Sequence, residues 1–268
     1  MISMAKFFKR FYLAIILLFM YLPIGALIIF SFNESKSMAK WTGFSLHWYE
    51  QLFSDPTIAE AVWVTISIAI IASIAATLIG TLAAIGMDNF RKKNRNVMIN
   101  LTYIPMVNAE IVTGISLLLL FIFFNIPRGY WTMLLAHITF DIPFVIFSVL
   151  PKLRQMDPGT YEAALDMGAK PGYAVRKVIL PQIAPGIVTG FLLAFTMSFD
   201  DFMISFFTSQ GTTQNLSTYI YSMARVGINP MINALSAIMF VVVITLLLVI
   251  NLRSLKKTKK TPNVESFR

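Results

Sequence analysis

The sequence predicts an all-α membrane protein of six transmembrane helices with both termini in the cytoplasm. Three observations point there. Apolar residues make up 57% of the 268 positions and charged residues only 13%, a balance far from that of a soluble domain. The apolar residues gather into six runs of about 20 residues or more, enough to cross roughly 30 Å of hydrocarbon at about 1.5 Å per residue. With the N-terminus placed inside, 18 of the 22 Lys and Arg fall on the cytoplasmic side, and only Lys36, Lys40, Arg128 and Arg225 fall outside. That bias is the one that orients membrane proteins.

In order, residues 1–10 form a short basic N-terminus with Lys6, Lys9 and Arg10. Residues 11–32 carry no charge and form the first span. They lack the short apolar core and small-residue cleavage site of a signal peptide. Residues 33–60 read as a polar and aromatic loop, in which Trp41, Trp48 and Tyr49 fit an interfacial belt better than a ligand cage. The second span is residues 61–87, followed by a basic turn with Arg91, Lys92, Lys93 and Arg95. Residues 97–124 form the third span, with Pro105 and Glu110 inside it. A tight turn at 125–130 leads to the fourth span, 131–150, which holds His137, Asp141 and Pro143. The fifth span is 183–202. A polar stretch at 205–229 precedes the sixth span, 230–252, and a basic, unstructured tail at 253–268. A membrane domain over 11–252 thus carries one cytoplasmic loop of note, 157–181.

Several function classes drop out. The net charge of +9 is accounted for by topology, so a nucleic-acid role needs no support. There are no cysteines, hence no disulfide framework and no thiolate metal site. His47 and His137 are too few for a zinc cluster. No phosphate-binding glycine loop and no nucleophile–base constellation is visible. The chain is expected to be no enzyme and to bind no cofactor of its own.

Four acids fall in or at the ends of spans: Glu110, Asp141, Asp200 and Asp201. A carboxylate near a span's centre costs about 2.5–3.5 kcal/mol on insertion scales, and no Lys or Arg lies inside a span to offset it. The economical reading is a wet pathway in which these acids meet a cation. Glu110, about thirteen residues or roughly 20 Å into the third span, is expected beyond the midplane. With Asp200 and Asp201 at the outer end of the fifth span, it is expected to face one outward cavity. Blander readings stand beside this one. Asp141 follows His137 by one turn and precedes Pro143, so it fits a hydrogen bond to that histidine or a role at the kink. Asp200 and Asp201 also fit an interfacial, solvated position.

The loop at 157–181 has its own grammar. Asp157 followed by Pro158 reads as an N-cap and first helical position. Ala163 and Ala164 allow close approach to another surface, and Gly168 suits the left-handed residue that ends a helix. Pro171 opens a second short helix that Pro181 and Pro185 are expected to stop. The result is a compact helix–turn–helix knob. Glu162, Ala163, Ala164, Gly168, Leu180 and Pro181 match the E-A-A, three residues, G, nine residues, I, one residue, L-P pattern, with Val178 in place of the Ile. This stretch therefore resembles the EAA loop of the membrane subunits of bacterial ABC importers. In that family the loop is the coupling helix that docks on the ATP-hydrolysing subunit.

The resemblance extends over nearly the whole chain. MSFDDFMISFFTS, LSTYIYSMARVGINPMINALS, ITFDIPFVIFSV and the opening SFNES…WTGFSLHWYEQLF are similar to spermidine/putrescine importer permeases. The resemblance implies a type I importer fold and a second permease subunit. It also implies a pair of ABC ATPase subunits that bind ATP and Mg, and an extracytoplasmic polyamine-binding protein. Flexible multivalent cations and spaced carboxylates are a chemical match. Two rivals remain at this stage: the same architecture for an amino acid or a metal ion, and a proton-coupled secondary carrier using Glu110 and Asp200 as relays. The carrier predicts internal repeats and discontinuous spans, and no repeat is evident. An intramembrane aspartyl protease is disfavoured, because Asp200–Asp201 lacks a Gly-rich context.

Overall fold

The computed structural model describes residues 2–36, 40–211, 213–227 and 230–258. The described chain is helical, with a lone β-bridge between Asn33 and Phe44. It divides into two compact units, Met1–Ala59 with Ile220–Arg268, and Glu60–Tyr219.

In the first unit, α1 (Ile2–Phe30) and α2 (His47–Ser54) both pack against α12 (Pro230–Thr258). Between α1 and α2 the chain is clasped rather than loose. Trp48 Nε1 donates to the Asn33 carbonyl at 2.7 Å, and Asn33 Oδ1 accepts from Thr42 N at 2.9 Å. Tyr49 and Ser31 hydroxyls lie 2.7 Å apart, and the Phe32 ring stacks on Phe44 and Tyr49. Trp48 is only 3% exposed, so it is a core residue and not part of an aromatic belt. Its indole N–H needs a buried partner and finds one in the loop backbone. Helix α12 runs on to Thr258, into the stretch expected to be an unstructured tail; residues 259–268 lie outside the described residues.

The second unit carries most of the apolar crossings. Helix α3 runs from Pro56 to Asp88, so the second span begins before Glu60 and takes that acid into its first turns. The expected third span is instead two helices, α4 (Lys92–Val107) and α5 (Glu110–Phe123), bent by 101°. Pro105 has no N–H to give the preceding turn. Asn108 and Ala109 then take extended backbone at ψ 145 and 135. Glu110 therefore does not lie deep in a continuous helix. It opens α5, where the helix dipole favours a negative charge.

Helix α6 (Tyr130–Arg154) passes through Pro143 and Pro151 and packs along α9 (Leu180–Asp200). The contact is close because α9 presents Gly186, Gly190, Ala194 and Ser198 at four-residue spacing, all buried. Small residues at that interval let two helix backbones approach, the packing device of membrane helices. Helices α10 (Met203–Thr208) and α11 (Leu216–Val226) occupy the stretch expected to be a polar loop. Among the described residues, four helices are long and apolar enough to cross a membrane, or five if the bent pair counts as one crossing. The apolar stretch Pro230–Thr245 of α12 is shorter.

Candidate substrate pathway and coupling surface

The knob at 157–181 forms as its residues dictate. Asp157 caps α7 (Pro158–Asp166), its Oδ1 accepting from Gly159 N at 2.9 Å. Gly168 has φ +87, a conformation costly for any residue with a Cβ. The turn closes with Gly168 N donating to Leu165 O at 2.8 Å and Ala169 N to Ala164 O at 3.1 Å. Helix α8 (Pro171–Ala174) starts at the expected proline. Pro181 and Pro185 do not stop it. A π-turn at Val175–Ile179 carries the chain directly into α9. Pro181 sits in the first turn of α9, where a missing N–H costs least, so the fifth crossing runs unbroken from Pro171 to Asp200.

Helix α7 folds back on α8 and the π-turn. Ala164 is buried at 7% exposure and Leu180 is half-buried, while Glu162, Ala163, Gly168 and Pro181 are exposed. The E-A-A triplet is thus split: its last alanine holds the knob together and its first two residues face outward. Beside them the structure adds two residues that spacing alone did not single out. Met167 is 84% exposed at the tip and Tyr173 59%. These two exposed apolar side chains make the tip of the knob the candidate contact surface.

The four acids separate into three situations. Glu110 and Asp200 are exposed, and the charges of Asp201 and Asp200 act on Glu110. Helix α10 packs on α5, with Gly114 against Met203 and Ile204, so the start of α5 and the end of α9 lie in one region of the fold. Asp201, by contrast, is 7% exposed and its carboxylate is engaged locally. It accepts from Ile204 N at 3.2 Å, Ser205 N at 2.7 Å and Ser205 Oγ at 2.8 Å. In doing so it caps the start of α10.

The Ser205 hydroxyl has a single proton, and it goes to Asp201. It must therefore accept from Asn215 Nδ2 at 2.8 Å and from His137 Nε2 at 3.0 Å. His137 Nε2 consequently carries a hydrogen and lies 3.4 Å from Asp201 Oδ2, while Nδ1 meets Ser198 Oγ at 2.6 Å. Asn215 Nδ2 also donates to the Asp201 carbonyl at 2.8 Å. This network ties α6, α9, α10 and the segment before α11. His137 is hence the partner of Asp201 and not of Asp141. Asp141 is fully buried, and neither of its oxygens has a hydrogen-bond partner among the described residues. His47, Asn215 and Ser205 show how uneven the sequence signal was. His47 lies at the start of α2 against Trp48, whereas the polar linchpins Asn215 and Ser205 stood in a stretch that composition marked only as polar.

Against known proteins, the family described as "Binding-protein-dependent transport system inner membrane component" matches residues 76–255. The chain is 36% identical over 244 residues to the spermidine/putrescine transport system permease protein PotC of Haemophilus influenzae, covering 91% of this chain and 95% of that protein. It is 38% identical over 227 residues to the putrescine transport system permease protein PotI of Escherichia coli strain K12, covering 82% and 81%. Among solved structures, a chain of a bacterial ABC transporter involved in the import of the acidic polysaccharide alginate superposes with a TM-score of 0.75. It covers 93% of this chain and 96% of that one at 14% identity, a likeness of fold.

Proposed function

This chain belongs to the family of inner-membrane components of binding-protein-dependent transport systems, as a multi-spanning permease subunit of an ABC importer, and from that premise we propose that its cargo is a polyamine moving into the cytoplasm. The observation that carries the substrate is the identity, over most of the chain, to proteins named for spermidine and putrescine transport. The exposed Glu110, at the start of α5, and Asp200, at the end of α9, supply the matching chemistry. A solved chain of similar fold belongs to an importer of alginate, an acidic polysaccharide that exposed carboxylates would repel.

The proposed assembly has this chain beside a second permease subunit, two ABC ATPase subunits below and an extracytoplasmic polyamine-binding protein above. ATP and Mg belong to the ATPase subunits. Glu162, Ala163 and Gly168, with Met167 at the tip, are the docking surface for one ATPase. When the ATPase pair closes, the knob moves with it. Because the π-turn joins the knob directly to α9, that motion reaches Asp200 through one helix. Differential affinity of the ATPases for two states then shifts the population between inward- and outward-facing forms. The 101° break in the third crossing is a feature a secondary carrier would share; family membership decides against that reading.

Two experiments test this. In a strain lacking the gene, the wild-type chain restores uptake of labelled putrescine or spermidine. Gly168→Val inserts normally but loses uptake or ATPase co-purification, since a β-branched residue tolerates positive φ poorly. Restored uptake of an amino acid and not of a polyamine overturns the substrate, and normal coupling in Gly168→Val overturns the docking surface. The second experiment concerns topology. With six crossings and both ends inside, a cysteine at Lys40 reacts with a membrane-impermeant thiol reagent in intact cells and one at Met167 does not. The opposite labelling pattern overturns the orientation, and the native lack of cysteine leaves no background.

A further inference from the structure

One turn inward from His137 the interior holds three side chains whose oxygens have no hydrogen-bond partner among the described residues: Thr77, Thr81 and Asp141. Several other helical threonines of this chain return their hydroxyl proton to the carbonyl one turn back. Thr65, Thr139 and Thr196 each do so at 2.8 Å. Thr77 and Thr81 do not, although both are buried. Their hydroxyls are therefore available for something other than their own helix.

Two contacts set the register of α3 against α6. Tyr130 OH donates to Ser67 Oγ at 3.0 Å. Further along, a Cβ at Gly80 would lie 2.8 Å from Val145 Cβ and 3.2 Å from the Ile142 carbonyl. The helices thus run side by side in the same direction, with Gly80 level with Val145. One turn earlier on each puts Thr77 level with Asp141, and Thr81 follows Gly80 directly. On the far side, a Cβ at Gly190 of α9 would lie 3.1 Å from the Val145 Cα. Ala194, one turn on in α9, is fully buried in the same cluster. The Asp141 turn is therefore enclosed between α3 and α9.

The charge of this carboxyl needs a compensator. His137 is committed to Ser198, Ser205 and Asp201. The nearest basic residue on α6 is Lys152, about 16 Å further along at 1.5 Å per residue. Asp201, one turn outward, is itself acidic. A proton would also neutralise Asp141, but its one O–H could reach only one of the threonine oxygens. A cation satisfies all of them as oxygen ligands at once. Carboxylate and hydroxyl oxygens select hard cations, and a single carboxylate balances a single positive charge. We propose that Asp141, with Thr77 and Thr81, forms a buried binding site for a monovalent alkali-metal cation between α3 and α6. The site is distinct from the exposed Glu110–Asp200 pair and does not depend on what the transporter carries.

The test uses the purified, assembled transporter in detergent. Its thermal midpoint is measured in lithium, sodium, potassium and rubidium chlorides against choline chloride, at one pH and one ionic strength. A saturable rise in the midpoint with at least one alkali cation, and none with choline, is expected. Asp141→Asn removes the cation response while keeping the choline midpoint or raising it. If Asp141→Asn fails to assemble, Thr77→Ala supplies the reading, with the half-saturating cation concentration raised at least about tenfold. A midpoint that is the same in choline as in every alkali cation overturns the site, as a bound water or a protonated acid would give that result. An unchanged cation response in Asp141→Asn or Thr77→Ala overturns it equally.

Discussion

Replacing Gly186 by leucine will leave little folded chain in the membrane. A Cβ at this position would lie 2.8 Å from the Ser148 carbonyl oxygen, 2.9 Å from Lys152 Cγ and 3.2 Å from the Val149 Cα. Two of those three atoms are backbone, which cannot swing aside as a side chain can. Overpacking typically costs about 1–3 kcal/mol, and leucine adds a branched chain beyond the Cβ in a closely packed helix pair. Against a usual stability of roughly 5–15 kcal/mol for a domain, that is a large fraction. Gly86→Leu is the control, since nothing lies within 4 Å of its Cβ position. The check is the yield of detergent-solubilised, monodisperse protein for the two variants. Equal yields would mean that α6 and α9 separate more easily than their packing implies.

What the sequence makes legible here, and what it hides, follows from the kind of interaction involved. Length and apolarity locate the crossings, because hydrocarbon imposes them residue by residue. The break between α4 and α5 is harder to see. An uninterrupted apolar run overwhelms the quieter signals of Pro105, polar Asn108 and an acid at the start of α5. Read as helix punctuation, those three residues mark the end of one helix and the beginning of another. The polar composition of 205–229 likewise hides α10 and α11, which look like loop until Asp201 and Asn215 are seen capping and bracing them. The stripe Gly186, Gly190, Ala194, Ser198 is fully visible in one dimension, yet its partner on α6 is not.

The candidate site divides along the same line. The knob is legible because caps, turn glycine and helix-opening proline are local features. Only the fate of Pro181 and Pro185 depends on something non-local, the π-turn that reroutes the backbone hydrogen bonds. The acids are a different matter, since their roles depend on partners far away in sequence. Asp200 and Asp201 are neighbours, but one faces outward and the other is held by His137 and Ser205. Counting Lys and Arg in the spans finds no partner for Asp201, because the partners are an imidazole, a hydroxyl and backbone N–H groups.

That division makes the acids separable by experiment. Glu110→Gln and Asp200→Asn keep the shape of each side chain and remove one charge apiece from the exposed pair. Each will cut polyamine uptake per assembled complex, and the double variant will cut it further. Unit charges 4 Å apart attract by about 4 kcal/mol at an effective dielectric near 20. Roughly 1.4 kcal/mol of barrier is a tenfold change in rate, so even a third of that attraction is a readable loss. The structural cost is small by comparison, because an acid in the first turn of α5 gains only about 0.3–1 kcal/mol from the helix dipole. Assembly and ATPase co-purification should therefore stay near wild type. Asp201→Asn will behave in the opposite way. It turns one of two acceptor oxygens into a donor facing N–H groups and a hydroxyl proton at 2.7–3.2 Å, so the amount of assembled complex falls first. Uptake normalised to assembled complex distinguishes the two effects. Unchanged normalised uptake in the Glu110→Gln, Asp200→Asn double variant would remove the exposed pair from the pathway, whatever the cargo.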